Sequence, residues 1–234
     1  MIRRNLPNAL TCGNLLCGCI GIVEVFHGNI VLSCYLIGVA LIFDFFDGFL
    51  ARLLKVSSPI GRDLDSLADM VTFGVLPSVI VFQLLMGSTP KNMDEIWKPY
   101  LAFFIAIFSA IRLAKFNNDP RQSDTFIGVP TPANALLIGS LPVIVHQYGA
   151  IWEQIIVNTS NLLILTFVMS FLLVAELPLL ALKFKAFGWK GNEIRYSFIL
   201  ISALLLIFFQ ILAIPVILIL YIFVSLLSNL SKTN

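Results

Sequence analysis

Apolar runs long enough to cross a bilayer follow one another along almost the whole chain, which leaves few folds open. They can be read at about 6–26, 30–54, 64–86, 97–117, 133–147, 161–181, 196–211 and 213–230. A spanning helix needs about 20 mainly apolar residues, and lipid offers a backbone no hydrogen-bond partner, so each run is expected to be helical. Composition agrees: 59% of the 234 residues are hydrophobic and 12% charged, with a mean hydropathy of +0.95. Soluble domains average roughly 45–50% apolar and about 25% charged. A soluble globular domain, a disordered chain and a nucleic-acid binder are thereby excluded. The expectation is an all-α polytopic membrane protein of about eight transmembrane helices, a single membrane domain over 1–234. The first run follows Arg3 and Arg4 but is too long, and too poor in a small-residue cleavage site, for a signal peptide. It is expected as a retained helix. Only a break near Pro215 separates the last two runs.

Charge sets the orientation. Eight spans with an internal N-terminus put Arg3, Arg4, Arg52, Lys55, Arg62, Arg112, Lys115, Arg121, Lys183, Lys185, Lys190, Arg195 and Lys232 on one side, and only Lys91 and Lys98 on the other. The cationic side faces the cytoplasm, so both termini are expected there. Cys12, Cys17, Cys19 and Cys34 fall in the first two apolar runs without metal-ligand spacing and read as small packing residues.

Four of the thirteen acidic residues crowd one helical hairpin: Asp44, Asp47, Asp65 and Asp69. A carboxylate inside a span is costly and marks a functional site by default. Asp44 and Asp47 are three residues apart and Asp65 and Asp69 four apart, so each pair shares a helix face. Counted from Arg52 and Gly61, where the two helices meet the surface, the acids fall into two tiers, Asp47 with Asp65 and Asp44 with Asp69. The deeper tier lies ~12 Å in, at 1.5 Å per residue. Four such carboxylates repel one another. Two divalent cations with a preference for hard oxygen ligands, Mg²⁺ or Mn²⁺, relieve that repulsion. A network of protonated acids and a cation or proton pathway are the competing readings. A pathway would string its acids across the bilayer, and a transporter would show repeats and broken helices. Here the acids sit at one end. Gly48 and Ala51 keep the helix face small, and Arg52 puts a fixed positive charge at its mouth, suited to a phosphate.

The string Asp44-x2-Asp47-Gly48-x2-Ala51-Arg52-x8-Gly61-x3-Asp65-x3-Asp69 resembles the signature of the CDP-alcohol phosphatidyltransferases, with every signature position filled. The resemblance implies a core of six transmembrane helices, here 1–181, with the loop and two further helices of 182–234 outside it. It further implies a homodimer, a binuclear metal site on the four aspartates, and displacement of CMP from CDP-diacylglycerol by a small alcohol at the cytoplasmic membrane face. Pro7-Asn8-Ala9-Leu10-Thr11 resembles the opening segment that helps hold the nucleotide in this family, and Ser58 falls at another nucleotide-side position. Helix capping by Asn8 and Thr11, and a simple turn role for Ser58, are the alternatives.

Arg112-Leu113-Ala114-Lys115-Phe116-Asn117 and Phe126-Ile127-Gly128-Val129-Pro130-Thr131-Pro132-Ala133 resemble the membrane-integral phosphatidylserine synthase branch of the family. Lys115 and Val129 depart from that branch's more usual Arg and Leu. The implied acceptor is L-serine. Arg112, the deepest cation of its loop, can grip a carboxylate with two hydrogen bonds, and Asn117 can add a neutral donor or acceptor. Glycerol 3-phosphate and inositol phosphate are the alternative acceptors, and each would ask for more cationic residues. Asp69, on the deeper tier, is expected to take the proton of the attacking hydroxyl. His27 and His146 lie at the opposite helix ends and read as bystanders. Glu176, expected inside the sixth span, reads as an interhelical partner or a contact for the substrate ammonium.

Overall fold

The computed structural model describes residues 2–56, 58–90, 94–119, 126–180, 188–189 and 192–233, with side chains from Asn5 to Ser228 except that of Phe126. Arg121, Lys183, Lys185, Lys190 and Lys91, and the side chains of Arg3, Arg4 and Lys232, therefore lie outside the described residues. The order of elements is α1 (Ile2–Phe26), α2 (Ile30–Leu53), α3 (Pro59–Asp69), a π-helical segment (Met70–Val75) and α4 (Leu76–Ser88). A 3₁₀ turn (Lys98–Phe103), α5 (Phe104–Asn118), β1 (Phe126–Ile127), α6 (Thr131–Tyr148), α7 (Ala150–Ile156) and α8 (Thr159–Val174) follow. The chain closes with β2 (Pro178–Leu179), α9 (Glu193–Phe209), a second 3₁₀ turn (Gln210–Leu212) and α10 (Ala213–Thr233).

Helix ends carry their own signals. Ser58 Oγ accepts from Gly61 N at 3.0 Å, and Pro59 opens the first turn, so α3 begins a turn earlier than its apolar run suggests. Asn158 caps α8, its Oδ1 accepting from Ser160 N at 3.0 Å. Gly28, with φ of 86°, ends α1 and turns the chain into α2. The continuous rod α3–π–α4 lies at the centre. Phe73, Leu76, Ile80 and Leu85 on it pack with Ile37, Ile105, Ile138 and Leu162 from α2, α5, α6 and α8.

Without water, tight helix contact rests on small residues. A Cβ on Gly18 would lie 3.0 Å from the Thr72 Cα, and one on Gly21 2.6 Å from Leu76 Cδ2, so α1 is seated directly on the central rod. Gly18→Ala is expected to destabilise by about 1–3 kcal/mol through overpacking. Gly38→Ala, with nothing within 4 Å of the added methyl, should leave stability unchanged or slightly raised. Thermal unfolding in one detergent compares the two.

Helices overlap all eight apolar runs, but fewer pass as spans on length and hydropathy. Among the described residues five do, and six if the α7–α8 pair, bent by 57°, is taken together. Two causes separate this from the expected eight. The α6 helix has 18 residues but carries Asn134 near its start and His146 and Gln147 at its end. The stretch Glu193–Ser228 counts as one apolar stretch of 36 residues. It nonetheless folds back, because the Phe198 and Tyr221 rings lie 5.7 Å apart. A straight helix would separate them by ~35 Å. The break falls at Gln210, whose φ is 49°, five residues before Pro215.

Two expectations fail around the sixth run. Helix α8 stops at Val174, so Glu176 lies beyond the helix rather than within a span. The chain there pairs antiparallel with β1, Phe126 opposite Leu179 and Ile127 opposite Pro178, a short strand pair in an otherwise helical protein. Gly128, with φ of 76°, permits it: a Cβ there would lie 2.6 Å from Leu173 O. Helix α10 fastens the strap, Tyr221 OH donating to Leu180 O at 3.0 Å while Ser225 Oγ accepts from Leu180 N at 3.0 Å.

Candidate active site

Three segments converge at one end of the bundle: the start of α1, the end of α2 and the start of α3. Asp44, Asp47 and Asp65 each offer a carboxylate oxygen, and these oxygens lie within 4.8 Å of one another. Asp47 is only 6% exposed. Among the described residues none of the three belongs to an ion pair. Three close carboxylates with no cation in ion-pair contact form a donor set suited to a hard divalent cation, so the residues present fit the expected metal.

Asp44 joins Asp47 and Asp65 in the close triad, and Asp69 interacts electrostatically with Asp44, its partner by depth. Asp69 is 9% exposed, and its Oδ1 accepts from Asn14 Nδ2 at 3.1 Å, within electrostatic range of Asp44 and Asp65. Directly after Asp69 the helix widens into the π segment. Thr72 within it donates from Oγ1 to Asn14 O at 3.0 Å. Such π insertions often occur at functional sites.

Helix α1 supplies the supports. Thr11 Oγ1 lies 2.6 Å from Asp47 Oδ2 and 3.1 Å from Pro7 O, so its hydroxyl can donate to the carboxylate. Thr11 lies well inside α1, which sets aside the capping alternative for it. Thr11 and Asn14 are one turn apart and meet Asp47 and Asp69, which are also separated in depth.

A cavity of about 230 Å³ opens beside the triad. Its wall contains Asn8, Thr11, Gly48, Ala51, Ser58 and Gly61 together with Asp47 and Asp65, and Pro7, Val56 and Arg62 complete it. Any side chain at Gly61 would press on Asn8 Oδ1 and Ser58 Oγ, both 3.1 Å from a Cβ built there. Arg52 is not on this wall. Its guanidinium folds back over Gly48, 3.6 Å from a Cβ built at that position. Arg62, three residues before Asp65 and exposed, is the arginine that lines the cavity, and sequence reading had placed it only among the cytoplasmic cations.

Arg112 approaches from α5. It is 5% exposed, its guanidinium carbon is 5.0 Å from the centre of the Phe116 ring, and its Nε is buried without a partner. Asp69 lies within its electrostatic range. A buried guanidinium N–H without a partner is costly unless an acceptor completes it. Asn117 is engaged elsewhere, donating from Nδ2 to Ser66 Oγ at 2.8 Å, where it ties α5 to α3. Asn14 is the residue that sequence reading missed. Its link to Asp69 spans 55 residues, and no spacing rule within one helix reports it.

Comparisons with known proteins bear on this geometry. The family model described as CDP-alcohol phosphatidyltransferase matches residues 4–171. A Helicobacter pylori (strain J99) protein named CDP-diacylglycerol–serine O-phosphatidyltransferase is 38% identical over 144 residues, 61% of this chain and 59% of that protein. A Bacillus subtilis protein of the same name is 37% identical over 127 residues, 54% of this chain and 69% of the relative. One from Mycobacterium leprae is 32% identical over 181 residues, 74% and 57% respectively. The chain thus spans about 59% of the length of the Helicobacter relative it matches. The matched stretch contains α1 to α7, with the aspartate triad, Asp69, the cavity wall and Arg112, and on this ground the chain belongs to the CDP-alcohol phosphatidyltransferase family.

Proposed function

We propose that the protein transfers the phosphatidyl group of CDP-diacylglycerol to the hydroxyl of L-serine, giving phosphatidylserine and CMP. The observation that carries this reading is the close carboxylate triad together with the buried Arg112, whose Nε has no partner and which lies within electrostatic range of Asp69. The names of the relatives support serine as the acceptor. Divalent cations, Mg²⁺ or Mn²⁺, would be held by Asp44, Asp47 and Asp65, with Asp69 completing a second site. When bound, they neutralise the diphosphate and stabilise the leaving CMP.

The chain's own residues do the rest. Asn8, Ser58 and Gly61 shape the wall against which the nucleotide lies. Arg62, and Arg52 above Gly48, place positive charge beside its phosphates. Arg112 takes the serine carboxylate and directs the hydroxyl toward Asp69. Asp69 accepts the hydroxyl proton as the serine oxygen bonds to the phosphorus that carries diacylglycerol. The bond from that phosphorus to the CMP oxygen breaks, and CMP leaves with the electron pair. The site lies near the cytoplasmic face of the cytoplasmic membrane, both termini are cytoplasmic, and the active form is a homodimer.

Arg112→Lys keeps the charge but loses the fork. It should raise the apparent KM for serine ~10-fold, about 1.4 kcal/mol of acceptor binding, and leave that for CDP-diacylglycerol nearly unchanged. Arg52→Lys should show the reverse pattern. Equal weakening of both substrates by both variants would contradict separate half-sites.

A further inference from the structure

Asn14 carries more polar capacity than the fold uses. It is fully buried on α1, its Nδ2 donates to Asp69 Oδ1 at 3.1 Å, and its backbone carbonyl accepts from Thr72. Its Oδ1 is also buried and has no hydrogen-bond partner. A buried acceptor left unmade costs about 1–3 kcal/mol. The Gly18 contact with Thr72 fixes the local backbone, so the side chain is held where it stands.

We propose that Asn14 is a binding residue of the acceptor half-site, and that its free Oδ1 takes a hydrogen bond from the ammonium of a 2-amino alcohol. This rests on the reading of serine as the acceptor. The amine and hydroxyl of such a molecule sit on adjacent carbons. The two groups that would receive them, Asn14 Oδ1 and the Asp69 carboxylate, are adjacent because Asn14 Nδ2 already bonds Asp69. The carboxylate of the acceptor goes to Arg112, which also lies within range of Asp69. An uncharged oxygen is the fitting partner for the ammonium at this place. A further carboxylate would add to the repulsion among Asp44, Asp47, Asp65 and Asp69, whereas an amide oxygen accepts the hydrogen without adding charge. Asn14 therefore has two roles on one side chain, to position Asp69 and to recognise the amine.

The test compares acceptors that differ by one group. Purified full-length protein with CDP-diacylglycerol and Mn²⁺ is offered L-serine or 3-hydroxypropionate, which keeps the hydroxyl and carboxylate but lacks the amine. Wild type should favour serine in kcat/KM. Asn14→Ala should lower kcat/KM for serine at least ~10-fold more than for 3-hydroxypropionate, so that the preference collapses. Asn14→Asp has nearly the same shape and keeps an acceptor oxygen. It should retain or increase the preference even though turnover falls with loss of the donor to Asp69, and it carries the test if the alanine variant does not fold. A purely structural Asn14 would depress both acceptors alike in either variant, and that result would overturn the inference. Wild-type protein that uses neither acceptor would instead overturn the proposed function.

Discussion

In EDTA, CMP release from CDP-diacylglycerol is expected to stop, and to return with Mg²⁺ or Mn²⁺ but not with Ca²⁺. The motive is the donor set. Asp44, Asp47 and Asp65 bring three carboxylate oxygens within 4.8 Å of one another with no cation in ion-pair contact, and Asp47 and Asp65 line the cavity that would take the diphosphate. An anionic substrate cannot approach those carboxylates until their charge is offset. Mg²⁺ and Mn²⁺ suit a compact oxygen site, whereas Ca²⁺ takes more ligands at longer distances and fits a tight cluster poorly. A CMP-release assay before and after chelation gives the answer directly. Full turnover in chelator would remove the role assigned to the cluster.

Asp69→Asn is expected to lower turnover at least ~10²-fold, the lower end of what a positioned general base contributes. The substitution is nearly isosteric. An asparagine can still present an oxygen to Asn14 Nδ2, so the support from α1 survives, and binding of CDP-diacylglycerol should be retained. Loss in Asp65→Asn should be partly recovered by raising the metal concentration. Near wild-type turnover for Asp69→Asn would exclude it as the proton acceptor.

Much of this site was legible because its parts are local. The spacing of Asp44 with Asp47 and of Asp65 with Asp69 reports helix faces, and a helix face in lipid makes a carboxylate conspicuous. Of the seven positions expected on the nucleotide side, Asn8, Thr11, Gly48, Ala51, Ser58 and Gly61 line one cavity and Arg52 does not. What escaped is carried by contacts between helices. The Asn14–Asp69 and Thr72–Asn14 bonds join residues 55 and 58 positions apart. The π segment that follows Asp69 has no apolar period to announce it. Arg52 and Arg62 exchange prominence because side-chain direction, not sequence position, decides which one reaches the cavity wall.

Element boundaries show the same division. Ser58 and Pro59 are capping signals, yet the apolar run hid the first turn of α3 because that turn is polar. The sixth run suggested a helix through 181, but Gly128 lets the chain draw close to Leu173 O, and α10 holds the strap that follows. Apolar composition alone does not distinguish a buried strap from a span. Nor does it reveal the fold-back at Gln210, which a positive φ and the meeting of Phe198 with Tyr221 make evident.

The central claim is that this carboxylate hairpin joins a CDP-linked lipid to serine. Its most direct test is an acceptor screen, in which purified protein with CDP-diacylglycerol and Mn²⁺ receives L-serine, glycerol 3-phosphate or inositol phosphate in parallel, and both CMP and the lipid product are quantified. The account predicts CMP release with serine, matched by an equal amount of phosphatidylserine, and little with the two phosphorylated acceptors. CMP release driven by glycerol 3-phosphate or inositol phosphate and not by serine would contradict it.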